Sequence, residues 1–567
     1  MNPLDWVVLI GSMVGIAAYG IWRTRGPRSL TTYLKGDQDL KWLAIGISVM
    51  ATQASAITFI STPGQGFQDG LGFVQNYFGM PLALIIIAAV FLPIYRRLNV
   101  YTAYEFLGRR FDSKTRLLGA ALFLLQRGLN AGITIYAPAI ILSTVMGWRL
   151  DVTILLSGCL VILYTVTGGS QAVTLTQKYQ MGVILGGMAA AFIILLVKLP
   201  ASLPDALVIA GSFHKMQAVD FSPDLHRRYT FWSGMFGGIF LMLSYFGTDQ
   251  SQVQRYISGS SLRASRLGLM FNAVFKIPMQ FFILLLGVLI FVFYQFETPP
   301  VFFNEVAWRA QAGSDTSNKF HALEQKFAAV EAEKLRSIQS WLAAKHSGDR
   351  DAEAAARAQA MAEHERSDAV RAEARVALQA ADPHAKTNDA DYVFITFILH
   401  YLPHGLIGLL MAAFFAAALA SKAAELNALG STTTVDWYRH VIKPAASDAH
   451  YVAASRWFTL FWGLVAIAFA LFASMTENMI QAANILGSLF YGVMLGLFLV
   501  GFFLRRIGGT AVFWGAVAAE ALVLALHFSH AISYLWYNPI GCAACVIFSL
   551  LLQSAGGAAH EPREAEG

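Results

Sequence analysis

The sequence predicts an all-α polytopic membrane protein of about thirteen transmembrane helices. Two observations carry this. Hydrophobic residues make up 56% of the 567 positions and charged residues 13%, against about 25% charged in a soluble domain. The charge is also unevenly placed: residues 296–390 hold 27 of the 76 charged side chains. Outside that stretch, apolar runs of the ~20 residues needed to cross a ~30 Å hydrocarbon core recur along the chain. Such a chain cannot cover a soluble surface with polar groups, and it is neither disordered nor disulfide-rich. Its cysteines, Cys159, Cys542 and Cys545, sit in apolar runs, without a second pair or histidines at zinc spacing, so packing is the expected role. The net charge of +6 comes from basic residues in short loops rather than in a patch. This argues for a membrane partner and against nucleic acid.

Taken in order, the expected spans are near 5–22, 41–62, 73–95, 117–146, 151–167, 179–198, 230–248, 270–295, 395–422, 455–473, 480–503, 511–529 and 534–553. No basic stretch precedes the first span and no cleavage site follows it, so it reads as retained. Arg23, Arg25, Arg28 and Lys35 follow span 1. Arg96, Arg97, Arg109, Arg110, Lys114 and Arg116 follow span 3, and Arg255, Arg263 and Arg266 follow span 7. Arg439 and Lys443 follow span 9, and Arg505 and Arg506 follow span 11. The alternate loops are poor in Lys and Arg. The positive-inside rule then makes the rich set cytoplasmic in a plasma (inner) membrane, with the N-terminus outside and the C-terminus cytoplasmic. Residues 318–381, rich in Ala, Glu, Arg and Gln with a Ser347-Gly348-Asp349 turn, predict an extracytoplasmic helical hairpin. It reads as a solvated, mobile insertion, with partner docking or gating as the alternative.

Two spans carry interruptions. Small and polar residues cluster mid-span in Ala51-Thr52-Gln53-Ala54-Ser55-Ala56-Ile57-Thr58, and span 7 is weakened by Ser233-Gly234 and Gly237-Gly238. Irregular backbone at membrane depth is tolerated only where it lines a cavity. Paired interruptions in two halves point to an inverted-repeat transporter with a midplane site, although close helix packing also uses small residues. Buried charges sharpen the point. Arg127, Lys276, Lys422 and Glu425 fall inside spans, and each needs a partner or a cavity, because burial costs at least ~2.5–3.5 kcal/mol on insertion scales. Lys422 and Glu425 stand three apart and can pair on one helix. Arg127 has no charged neighbour at helical spacing. Either a ligand anion or a carboxylate from another span can satisfy it.

These residues resemble the sodium:solute symporter family, nearest to bacterial members with a periplasmic helical insertion. The resemblance covers nearly all of the chain outside 300–390. Its most specific stretch is Val100-Tyr101-Thr102-Ala103-Tyr104-Glu105-Phe106-Leu107-Gly108-Arg109-Arg110-Phe111. Gly247-Thr248-Asp249-Gln250-Ser251-Gln252-Val253-Gln254-Arg255-Tyr256 is next, with the Thr167-Gly168-Gly169 turn, Leu426-Asn427-Ala428-Leu429 and Thr434-Val435-Asp436. The resemblance implies the leucine-transporter fold. Residues 41–198 would form one inverted five-helix repeat and 199–503 the other, interrupted by the 300–390 hairpin. Residues 1–40 would hold the first span and its loop, 504–553 two peripheral spans, and 554–567 a short cytoplasmic tail.

The resemblance also implies sodium-coupled symport of a small polar solute by alternating access, with no cofactor and no enzymatic activity. Sodium, the coupling ion, would meet carbonyls of Ala51, Ala54 and Ala417 and the side-chain positions Ala420 and Ser421. Ala420 lacks the hydroxyl that the family carries there, and Lys422 follows at once, so a lysine-assisted or proton-coupled carrier is the alternative. Solute contacts would fall on Gln53, Ser55, Thr58, Gln75, Asn76, Arg127, Lys276 and Gln481, with Phe236 an apolar gate. Coupling or gating positions would be Gln177, Tyr245, Lys422 and Glu425. The implied solute is a sugar, sugar acid, monocarboxylate or amino acid. A membrane sensor built on the same fold is a rival from another class; an intramembrane enzyme is opposed by the absence of any recognisable catalytic motif. His400 and His404 flank Pro403 and read as structural.

Overall fold

The structure is a computed structural model that describes residues 1–23, 41–98, 100–257, 259–312, 317–383, 385–472 and 477–555. Side chains are not described at every one of these positions; Gln177 and Ala420 fall among the exceptions. The basic residues Arg25, Arg28 and Lys35 and most of the expected tail lie outside the described residues.

The chain folds as helices α1 (Pro3–Arg23), α2 (Trp42–Gln53), α3 (Ala56–Asp69), α4 (Met80–Ile86), α5 (Leu92–Leu98), α6 (Tyr104–Arg110) and α7 (Ser113–Met146). There follow α8 (Leu150–Lys198), α9 (Leu203–Ser212), α10 (Gly238–Gly247), α11 (Gln250–Ile257), α12 (Leu262–Phe293), α13 (Glu305–Ala312), α14 (Ser317–Ser347) and α15 (Arg350–Ala381). The last six are α16 (Ala390–Tyr401), α17 (Leu406–Thr432), α18 (Asp448–Phe472), α19 (Met479–Phe503), α20 (Gly509–Phe528) and α21 (Tyr537–Ala555). Among the described residues, nine helical segments are long and apolar enough to cross a membrane. The chain is thus an all-helical, multi-span membrane protein.

Three expected boundaries move. The turn expected at Thr167-Gly168-Gly169 is absent, and α8 runs unbroken for 49 residues. No proline interrupts it, and glycine costs only about 1 kcal/mol in a helix interior. Expected span 9 divides instead: α16 ends at Tyr401, and α17 begins only after Pro403, whose ring disfavours helical geometry in the preceding residue. Gly405 supplies the positive φ of 87° at that corner. Asp5 of α1 fastens it by accepting from the Gly405 amide (2.6 Å) and facing His404 (2.9 Å). The third shift concerns the break in expected span 7, described with the site below.

Small residues let α3 sink into the bundle. A Cβ at Gly64 would meet the backbone of Ala390 on α16, and one at Gly287 of α12 would meet the carbonyl of Pro63. Without a hydrophobic drive between helices in lipid, such close approach is the means of packing. The opposite end of the bundle holds the basic loops. There Arg116 pairs with Asp436 (2.7 Å), and Thr102 donates to the same carboxylate (3.0 Å).

The expected hairpin is α14 and α15, turned at Gly348 (φ 77°) and capped by Asp349, which accepts from the Ala352 amide (3.0 Å). It is packed down, which corrects the reading of a loose insertion. Ile338 and Trp341 are fully buried in the main core. Phe302, Trp308, Phe320 and Val370 close a smaller core against α13. At the tip Lys345 and His346 grip Asp205 of α9 at 2.7 and 3.2 Å. Lys345, helped by Ser202, holds the Asp205 carboxyl down to about 2. A depressed carboxyl stabilises the fold above its ordinary value near 4 and ceases to do so as pH falls through about 2. The Asp205 carboxylate is therefore expected to stay ionised and paired with Lys345 between pH 5 and 8, whereas Asp205→Asn should loosen the tip. Limited trypsin digestion should show severalfold faster cleavage near Lys345 and Arg350 in that variant.

Candidate solute and ion site

The first break in the membrane core lies between α2 and α3. Ala54 (φ −84°, ψ 68°) and Ser55 (φ −73°, ψ 179°) leave helical geometry. The ladder ends with Ala54 N to Met50 O (2.6 Å) and resumes with Thr58 N to Ser55 O (2.9 Å). No proline forces this, and Ala54 and Ala56 favour helix; only Ser55, whose hydroxyl competes for backbone groups, weakens it locally. The carbonyl end of α2 and the amide end of α3 therefore meet inside the protein, with opposite partial charges.

The second break is not at the glycine pairs of expected span 7. Ser233–Gly237 widens into a π-helical turn, and the discontinuity comes at Thr248 (φ −124°, ψ −18°) and Asp249, between α10 and α11. Tyr95 donates to the Gly247 carbonyl (2.6 Å) and Tyr104 to that of Thr248 (3.0 Å), which pins the gap. Asp249 turns inward and accepts from the Ser251 amide (2.9 Å) and hydroxyl (2.6 Å).

Between the breaks sits a cluster of four buried charges. Arg127 of α7 forks onto Asp249, with Nε at 2.9 Å, and reaches Glu425 of α17 at 3.3 Å. Lys422 donates to the other oxygen of Glu425. The Tyr491 hydroxyl lies 2.9 Å from Arg127 and 3.1 Å from Asp249, and the guanidinium stands 5.3 Å from the Tyr245 ring centre. Two cations and two carboxylates cancel. Sequence left two partners open for Arg127; the structure supplies carboxylates from two other helices. Asp249 and Tyr491 were not anticipated as site residues. Asp249 was visible only as one acidic residue within a family motif, 122 positions from its partner.

Beside this cluster is a cavity of about 100 Å³. Thr52, Gln53, Ser55 and Thr58 line it from the first break, Arg127, Asn130 and Thr134 from α7. Tyr245, Glu425, Asn484 and Tyr491 complete its polar wall. Gln53 Oε1 and Asn484 Nδ2 have no hydrogen-bond partner among the described residues. Lys276 is fully buried, its ammonium also unpartnered there, 5.5 Å from the ring centre of Tyr77, which lines the cavity.

Other expected contacts lie elsewhere. Gln75 donates to the carbonyls of Gly72 and Tyr229 and accepts from Asp220 N, tying a loop. Asn76 accepts from Tyr534, and Gln481 from Arg228. Phe236 is half exposed and stacks on Trp232, so it closes nothing. At the expected ion position, Ala51, Ala54, Ala417 and Ser421 are buried, and α2 packs on α17. Ser421 Oγ donates to the Ala418 carbonyl (3.2 Å), leaving its lone pairs free. Carbonyl and hydroxyl oxygens suit a hard cation.

A family model, "Sodium:solute symporter family", matches residues 33–316 and 372–518, well over half the chain. The chain belongs to the sodium:solute symporter family. The match skips most of the hairpin. The sodium/iodide cotransporter of Homo sapiens is 33% identical over 287 residues, 50% of this chain and 43% of that protein. Sodium-coupled monocarboxylate transporter 1 of Homo sapiens is 34% identical, over 48% and 45%. The matched part thus spans under half the length of these two relatives. The sodium/sialic acid symporter SiaT of Proteus mirabilis (strain HI4320) is 24% identical, over 96% of this chain and 93% of that one. A solved structure of a Na+-coupled sialic acid symporter in a substrate-bound outward-open state matches with a TM-score of 0.73 at 22% identity, over 99% of both chains. The chain therefore has that fold.

The cluster makes Arg127 structurally indispensable. Removing one member of a buried pair leaves an uncompensated charge and costs about 3–5 kcal/mol. Arg127→Ala is expected to lower the thermal unfolding midpoint sharply in detergent, and Arg127→Gln with Asp249→Asn to recover part of the loss.

Proposed function

We propose that the protein is a secondary active transporter that couples inward movement of sodium to uptake of a small polar solute by alternating access. The carrying observation is the break at Ala54 and Ser55, which opens into the cavity and ends α2, a helix that packs on α17. Sodium binds carbonyls of Ala51, Ala54 and Ala417 and the Ser421 hydroxyl. The solute, a sugar, sugar acid, monocarboxylate or amino acid, occupies the cavity. Gln53 and Asn484 offer it an open acceptor and an open donor, while Ser55, Thr58 and Asn130 add to its polar wall. Relatives that carry iodide, monocarboxylates or sialic acid by name support the coupling ion and leave the solute wide. Arg127 is neutralised by Asp249 and Glu425, so it orders the site and does not serve as a bare anion anchor. Residues 41–198 and 199–503 act as the two rocking repeats. The protein lies in the plasma membrane, with the basic loops cytoplasmic and the hairpin outside.

Lys422 supports a second reading, because it follows closely on Ala420, which lacks a ligand hydroxyl, and carries a buried ammonium: that ammonium replaces sodium and a proton drives transport. Sodium titration separates the two. In purified protein, sodium should raise the unfolding midpoint saturably, with choline and potassium inert at matched ionic strength. The gain should reach about 2.7 kcal/mol at 100 times the dissociation constant. Ser421→Ala should require severalfold more sodium. A midpoint indifferent to sodium would refute sodium coupling and favour the Lys422 reading, to be tested by uptake under a proton gradient.

A further inference from the structure

A second cavity, of about 440 Å³, lies outside the membrane core, where the hairpin meets the outer ends of α3 and α12. Its floor is membrane-domain backbone and rings at Asp69, Phe291, Tyr294 and Gln295. Its wall is hairpin, at Lys334, His364, Arg371 and Arg375, and Lys215 enters from the loop after α9. Four cations and four carboxylates face this space, the acids being Asp69, Glu331, Asp368 and Asp389.

Two of the acids are held by cations, and Asp69 and Asp368 are not. Asp389 accepts from Arg371 (3.0 Å) and the Phe303 amide (2.7 Å) and also faces Arg375 at 3.9 Å. Glu331 holds Lys334 at 2.6 Å and accepts from Ser367. Asp69 accepts from Gln65, and Asp368 faces His364 at 3.5 Å.

Lys215 meets only the Gln68 carbonyl and the ring of Phe291, at 4.7 Å from its centre, with no carboxylate within 4.0 Å among the described residues. Arg375 Nε and the hydroxyl of Tyr294, a residue 2% exposed, have no partner among the described residues. The one open acceptor that is not ambiguous is Gln295 Oε1, on a residue 3% exposed. Burial holds the His364 imidazole well below its ordinary range, so it is neutral at pH 7 and adds no charge. Burial also presses the Lys215 ammonium below its ordinary value, a cost that Asp69 and Asp368 offset only in part and that a closer anion relieves further. Unmet buried groups are expensive; here the Tyr294 hydroxyl is such a donor and Gln295 Oε1 such an acceptor, with the cationic Lys215 and Arg375 beside them.

We propose that this chamber binds a small organic carboxylate that also carries a hydroxyl, outside the membrane and apart from the central cavity. The carboxylate meets Lys215, Arg375 and Tyr294, and the hydroxyl donates to Gln295. The volume suits a small metabolite. The proposal does not rest on sodium coupling.

The test is isothermal titration of the full-length purified protein in sodium-free choline buffer with potassium lactate, gluconate and N-acetylneuraminate, against potassium chloride and phosphate. At least one carboxylate should bind saturably in the wild type. Arg375→Gln and Tyr294→Phe should each weaken it tenfold or more, and Asn130→Ala in the central cavity should leave it unchanged. Tyr294→Phe removes one oxygen, and Arg375 is partly exposed at the rim, so both variants should fold, which the unfolding midpoint checks. Carboxylates binding no better than chloride, phosphate outcompeting them, affinity surviving both chamber substitutions, or affinity lost in Asn130→Ala would each overturn the proposal.

Discussion

A charge buried among membrane helices must meet its opposite, and the centre of this protein is arranged around that requirement. Arg127 stands on α7, Asp249 in the gap between α10 and α11, and Glu425 and Lys422 on α17. None of these elements can shift far without exposing an unpaired charge, at a cost of several kcal/mol. The α10–α11 gap exists in this form because Asp249 is drawn inward. The cavity beside it persists because the cluster props α7, α10, α17 and α19 apart. The rigidity is local, however: Arg127, Asp249 and Tyr491 form one group and Lys422 with Glu425 another, joined by the longer 3.3 Å contact from Arg127 to Glu425.

The break at Ala54 and Ser55 plays the complementary part. It offers carbonyls and amides rather than side-chain charge, so it can receive a cation or a polar solute without a second buried ion. Asp391 shows how the outer half of the broken helix is held: Ser61 of α3 donates to it, and it also takes Lys386 and the Met479 amide (3.3 Å). Asn478 of the α19 cap donates to Gln65 of the same half-helix. The outer half is thus bound to α16 and α19, and the inner half packs on α12 and α17.

What the sequence disclosed follows from how local each signal is. The hairpin turn at Gly348, the first break and the Lys422–Glu425 pair all rest on residues within a few positions of one another, and all are found in the structure. The partner of Arg127 depended on contacts 122 and 298 residues away, which no periodicity encodes. Span 7 shows a subtler limit. Gly-rich sequence marked Ser233–Gly238 as weak, yet glycine permits a break without requiring one. The actual gap is fixed by Tyr95 and Tyr104 from other elements. Likewise Thr167-Gly168-Gly169 stays helical, because nothing in the chain forbids it. The docking of the hairpin was hidden for the same reason: Ala-rich sequence looks solvated until Trp341 and Ile338 are seen to have a surface to cover.

One helix that runs from the central cavity to the chamber under the hairpin is α3. α3 begins at the break, beside Gln53 and Ser55, and ends at Gln65 and Asp69, where Gln65 donates to Asp69 and receives Asn478. Asp69 is also floor to the outer chamber. Lys215 is tied to the same helix end, its ammonium donating to the Gln68 carbonyl and its own carbonyl accepting from the Leu71 amide at 2.9 Å. The chamber and the central cavity therefore share α3 as a common wall. An anion held between Lys215 and Arg375 would bear on the end of the helix whose other end lines the solute site. The packed-down hairpin, locked by Asp205 and sharing the main core, supplies the other wall of the chamber.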